Sequence, residues 1–224
     1  MEPKSTSPLE RLRHATRATH DRIDSGPYAK GVMDGSLPIA RYASFLRALR
    51  VIHVGIAQTI ESAGDPAVHS AFAHGSERIE RLTRDLTALQ LDPDGIDAAV
   101  LPARELTRQI QRDAERSTAS LFGHLYVLEG SQLGGLSQRV AFAKRPELQN
   151  GGLAYLSGAG RETMVQFKAF CALLEASLLD EPAIADAVSG AVRAFESIEA
   201  IVNAVTSETL FDSSAPETGL LVAE

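Results

Sequence analysis

The chain has 224 residues, 44% hydrophobic and 23% charged, with a net charge of −7, six histidines, one cysteine and no tryptophan. One cysteine, Cys171, rules out an intramolecular disulfide framework and a Cys-rich zinc or iron–sulfur site within a single chain. The acidic balance argues against nucleic acid as a partner, and no apolar run approaches the roughly 20 residues that span a bilayer, so no membrane insertion is expected. Met1 to Ser5 carries no apolar run resembling a secretion signal, and the expected location is the cytoplasm.

Apolar residues recur at three- and four-residue intervals almost throughout, which predicts an all-α chain. Ser7, Pro8 and Glu10 form a helix start with a capping box, and that helix should reach about Asp24, before Gly26 and Pro27. A short helix within Tyr28 to Leu37 precedes a long one from Pro38 to Glu61, ended by Gly64 and Pro66. A third long helix is expected over Ala67 to Leu89, with Glu77, Arg78, Glu80, Arg81, Arg84 and Asp85 as a solvated charged face. Leu91 to Pro102 reads as a connector, followed by helices over Ala103 to Arg116 and Ala119 to Lys144. Glycines bracket a loop from Gly151 to Gly160, and two further helices run over Arg161 to Leu179 and Pro182 to Val205. The expected architecture is one helical domain of seven or eight helices over 1–206, with a flexible tail over 207–224.

Helical phase ranks the histidines of the first helix. Taking His20 as zero, Leu9, Leu12, Thr16 and Ile23 fall within about 80° of it on one side, so His20 borders the apolar face. Arg13 and Arg17 fall about 20° and 60° to the other side, and His14, at about 120°, belongs to the solvent side. An imidazole with cations along one border suits an apolar cofactor carrying carboxylates, but it equally suits a hydrogen-bonded packing histidine.

The stretch from Leu121 to Gly135 holds Gly130, Gly134 and Gly135 in an otherwise strong helical pattern. Each interior glycine costs about 1 kcal/mol relative to alanine, so the three need a reason. Close approach of another helix or a kink is one; room for a flat ligand against the backbone, with Ser131 beside it as a polar group, is the other.

Leu12, Arg13, Thr16 and His20 are similar to the first-helix pattern of biliverdin-producing heme oxygenases, which ends on the proximal heme ligand. Tyr126 to Gly135 closely resembles the distal helix of the bacterial, phytochrome-associated branch; Tyr42 to Leu46 and the loop from Tyr155 to Gly160 also fit. The resemblance covers about residues 8 to 205 and implies heme held between a proximal N-terminal helix and a kinked, glycine-rich distal helix. His20 would ligate the iron, Arg13 and Arg17 would meet the propionates, and Phe195 would pack near the macrocycle. Gly130 and Gly134 would line the distal face and leave room for O2, with Ser131 where animal members carry an aspartate.

The resemblance further implies heme b as substrate and cofactor, and O2 with electrons from an external reductase, such as a ferredoxin or a flavoprotein reductase. Biliverdin, CO and ferrous iron would be the products, a bacterial phytochrome a bilin acceptor, and the protein a monomer. The chain departs from the bacterial pattern in having no tryptophan near Val165 to Phe167 or at the end of the last helix, and in carrying His53 where many relatives have an aromatic residue. A heme-binding or heme-trafficking protein of the same fold is the alternative. A thiamin-salvage hydrolase would need Cys171 as nucleophile, but Phe167, Phe170 and Leu174 around it read as core.

Overall fold

The computed structural model describes residues 6–207. Helix α1 (Pro8–Ser25) begins at the expected capping box, Ser7 Oγ accepting from Glu10 N while the Glu10 carboxylate accepts from Ser7 N. It is followed by α2 (Pro27–Met33) and α3 (Ile39–Ala63), which Gly64 ends in the left-handed region at φ 62°. The single helix expected over 67–89 is instead two, α4 (Pro66–Ala71) and α5 (Gly75–Ala88). The break is local: Phe72 to His74 form a turn, and the Phe72 ring occupies the place where a side chain at Gly75 would stand.

Helix α6 (Val100–Arg116) starts three residues before the expected position, because Pro102 sits in its first turn, where no backbone N–H is needed. Helix α7 (Ala119–Phe142) runs uninterrupted through its glycines; α8 (Ala154–Ser157), α9 (Thr163–Ser177) and α10 (Glu181–Thr206) complete the order. The described residues thus form ten α-helices rather than seven or eight, the extra two being the split helix and α8. The expected tail beyond 207 lies outside the described residues.

Helix α7 is central. It packs most extensively on α10, while α3 lies against α5 and α6, and α1 lies on α10. Leu12, Leu46, Ile56, Leu86, Leu121 and Phe142 are among the fully buried residues of one continuous core. Two glycines set the α7–α10 approach: a Cβ at Gly123 would overlap the Ala187 carbonyl, and one at Gly190 would overlap that of Ser120. No helix among the described residues is long and apolar enough to cross a membrane.

Candidate functional site

Helix α1 is fastened so that one face stays free. Leu12 and Thr16 are buried, Thr16 Oγ1 donating to the Leu12 carbonyl at 2.8 Å. Arg11 pairs with Glu181 at 2.6 Å and Arg22 with Glu199 at 2.7 Å, tying both ends of the helix to α10. Between these ties a cleft of about 430 Å³ opens, lined by Glu10, Arg13, His14, Thr16, Arg17 and His20, with Tyr126 of α7 and Phe195 of α10. That volume falls among small-molecule sites, which span about 300–1,000 Å³.

His20 stands half-exposed in this cleft. Its Nδ1 lies 3.3 Å from the Asp24 carboxylate one turn on, and its ring meets Phe195 edge-on with centroids 5.6 Å apart. A carboxylate at Nδ1 favours the tautomer with the proton there, which leaves Nε2 as an available ligand nitrogen. Arg17 sits 3.8 Å from Asp21, and Arg13 approaches the Tyr126 phenol, whose pKa burial pushes up against that opposing charge. His14 is exposed, as its phase predicts, but it also reaches the cleft. Among the described residues no group of three or more His, Cys, Asp or Glu is placed to hold a metal ion. Cys171 is half-buried and burial raises its thiol pKa, which suits packing rather than nucleophilic attack.

The structure therefore brings His20, Arg13, Arg17 and Phe195 together. It does not bring Gly130, Ser131 or Gly134 into the same cleft lining. Gly130 and Gly134 continue the Tyr126 face of α7, four and eight positions further on, while Ser131 stands about 140° round the helix from Tyr126. Phe167 of α9 rests on both parts: its ring centroid is 6.4 Å from that of Tyr126, and a Cβ at Gly130 would meet it at 3.7 Å. At Gly134 a Cβ would meet nothing within 4 Å. Ser131 is exposed and its Oγ donates to the Leu128 carbonyl at 2.8 Å.

Beneath this face lies a buried polar cluster that the sequence reading missed. Arg78 and Asp85, expected on a solvated face, are 3% and 1% exposed. Arg78 grips the Glu129 carboxylate of α7 with two guanidinium nitrogens, and Asp85 accepts from the Ala154 and Tyr155 amides at 2.7 Å each. Spacing carried the signal, since Arg78, Leu82 and Asp85 recur at four and three residues on one face of α5. His53 of α3 is fully buried, with Nε2 3.0 Å from the Tyr155 hydroxyl. Burial and the Arg78 charge push its pKa down to about 3.

The fold is that of solved heme oxygenases. The chain is similar to that of Leptospira interrogans (16% identity, 88% of this chain and 98% of that chain covered, TM-score 0.71). Synechocystis heme oxygenase-2, solved with heme and NO, gives 20% identity, 89% and 85% coverage and a TM-score of 0.75. The Neisseria meningitidis enzyme, solved with NO and CO, gives 20%, 96% and 100%, and 0.61. No curated protein matches the chain. The model of the heme oxygenase family matches residues 7–204, and the chain belongs to that family.

Proposed function

We propose that this protein cleaves heme with O2 and external electrons to biliverdin, CO and ferrous iron. The observation that carries the reading is His20, its Nδ1 3.3 Å from the Asp24 carboxylate, in a cleft that also presents Arg13, Arg17 and Phe195. The open space at Gly134 is the fit for a flat macrocycle: only a residue without a side chain leaves the α7 backbone bare there.

Heme, when bound, supplies the iron at which O2 is activated and is itself the molecule that is cut. His20 Nε2 is the iron ligand, and Phe195 limits the swing of its ring. Arg13 and Arg17 offer charge-assisted hydrogen bonds to the propionates. Gly130 and Gly134 keep the distal side open for O2. Ser131 spends its proton on the Leu128 carbonyl, so its oxygen presents lone pairs and receives hydrogen bonds from water or ligand. Electrons come from a separate reductase, a ferredoxin or a flavoprotein. The likeness of Tyr126 to Gly135 to the phytochrome-associated branch makes a bacterial phytochrome the proposed bilin acceptor.

Titration of the purified protein with hemin tests this directly. A histidine-ligated Soret band is expected, absent in His20→Ala, and reductant with O2 should convert it to the bilin spectrum. A stable hemin complex that never yields bilin would overturn the enzymatic reading and leave a heme-binding protein.

A further inference from the structure

Helices α9 and α10 each pack on both α1 and α7, and so border the space between the His20 helix and the glycine helix. Each contributes one phenylalanine: Phe195 of α10 meets His20, and Phe167 of α9 meets α7. Phe167 is only half-buried, yet its ring is held from several directions. Phe170, on the same helix and 5% exposed, stacks on it with centroids 6.4 Å apart and planes at 25°. Tyr126 of the cleft lies at 6.4 Å, tilted by 42°. The ring edge then overlies Gly130, Cε2 and Cζ standing 3.7 and 4.0 Å from where a Cβ would be.

These contacts divide the glycine face of α7 into two unlike halves. Gly134 follows Gly130 by four residues, about 6 Å along the helix axis, so a phenyl edge seated on one does not cover the other. At Gly130 the Phe167 ring already stands at van der Waals distance; at Gly134 nothing comes within 4 Å. The packing of Phe167 does not itself demand a glycine, because 3.7 Å is an ordinary contact that an alanine would make. Bare backbone is therefore open to a ligand at the Gly134 end, while the Gly130 end is roofed by an aromatic ring.

We infer that Phe167 is a specificity-determining residue for the oxygenase reaction: its ring edge closes the Gly130 end of the α7 face, so that the room for O2, and the one edge of the macrocycle exposed to it, lies toward Gly134. The inference rests on the heme oxygenase reading. Such a wall acts by exclusion, since a phenyl ring offers no hydrogen bond and yields little when a buried neighbour backs it.

The test uses the hemin-loaded full chain, reduced without O2 so that nothing turns over, and titrates it with methyl and tert-butyl isocyanide, two iron ligands that differ in bulk. Phe167→Ala should bind tert-butyl isocyanide about ten-fold tighter than wild type, and methyl isocyanide within about two-fold of it. Phe167→Leu, which keeps the core filled where alanine loosens the fold, should move the ratio of the two affinities the same way by a smaller factor. Gly134→Ala should move it the other way, whereas Gly130→Ala, whose methyl group meets only the Phe167 ring, should leave it near wild type. With O2 and reductant supplied, chromatography should find one biliverdin isomer from wild type and a mixture from Phe167→Ala. A ratio that neither Phe167 variant moves, or a single isomer from Phe167→Ala, overturns the inference. Wild type that binds hemin without making bilin sinks the enzymatic reading, and the isocyanide ratio still decides whether Phe167 walls the site; wild type that takes up no hemin sinks both.

Discussion

Arg78 of α5 and Glu129 of α7 form a two-pronged ion pair inside the bundle, their side chains 3% and 6% exposed. Glu129 immediately precedes Gly130, so the pair fixes the depth at which the glycine segment sits. Arg78→Met strands a buried carboxylate and should lower stability by about 3–5 kcal/mol, read from the urea midpoint. Arg78→Met combined with Glu129→Leu removes both charges and should recover most of that loss. Equal instability of the single and double variants would show that shape, rather than charge, is what the pair supplies.

Asp24 makes a different prediction, because it is exposed and its effect should be confined to ligand binding. With the carboxylate gone in Asp24→Ala, His20 loses the negative charge 3.3 Å from Nδ1 and Nε2 becomes a poorer ligand. Hemin affinity should fall by about ten-fold or more with the histidine-ligated Soret band retained, and the unfolding midpoint should not move. Unchanged affinity would mean that the 3.3 Å contact between Asp24 and His20 does not survive hemin binding.

The legible parts of the fold were those written locally. The Ser7 to Glu10 cap, the glycine stops and the phase of α1 gave the helix and the residues that face its cleft, His20, Arg13 and Arg17, and the last helix delivered Phe195 to them. Arg78 and Asp85 were misread because a charged residue on a helix looks the same in sequence whether water or a buried partner receives it. Their partners, Glu129 and the amides of Ala154 and Tyr155, lie 51 to 70 positions away, beyond any local pattern. The packing of Phe167 over Gly130 is equally tertiary in origin.

Stability should fall on mild acidification. His53 takes up a proton in the unfolded chain near pH 6.5 but in the native protein only at about 3, so unfolding binds a proton throughout that window. His124, 1% exposed, is also lowered by burial, which outweighs its hydrogen bond to Asp113. Both native values lie below the unfolded ones, hence stability is full above about pH 6.5 and declines as pH drops, by up to about 1.4 kcal/mol per pH unit for each histidine. Urea midpoints at pH 7, 6 and 5 measure this, and His53→Gln should flatten the decline. A midpoint constant from pH 7 to 5 would contradict it.

The glycines of α7 should separate into two kinds. Gly123→Ala pushes a methyl group into the Ala187 carbonyl of α10, where neither backbone can give way, and should be strongly destabilising. Gly134→Ala meets nothing within 4 Å and restores a better helix former, so the ligand-free protein should gain about 0.5–1 kcal/mol. If Gly134 is bare to admit a macrocycle, the same methyl group must obstruct it, and hemin affinity should drop while the melting temperature rises. Opposite movements of stability and hemin affinity identify a glycine kept for the ligand. Parallel movements would return Gly134 to an ordinary packing role, since a residue needed only for helix packing cannot improve the fold by leaving.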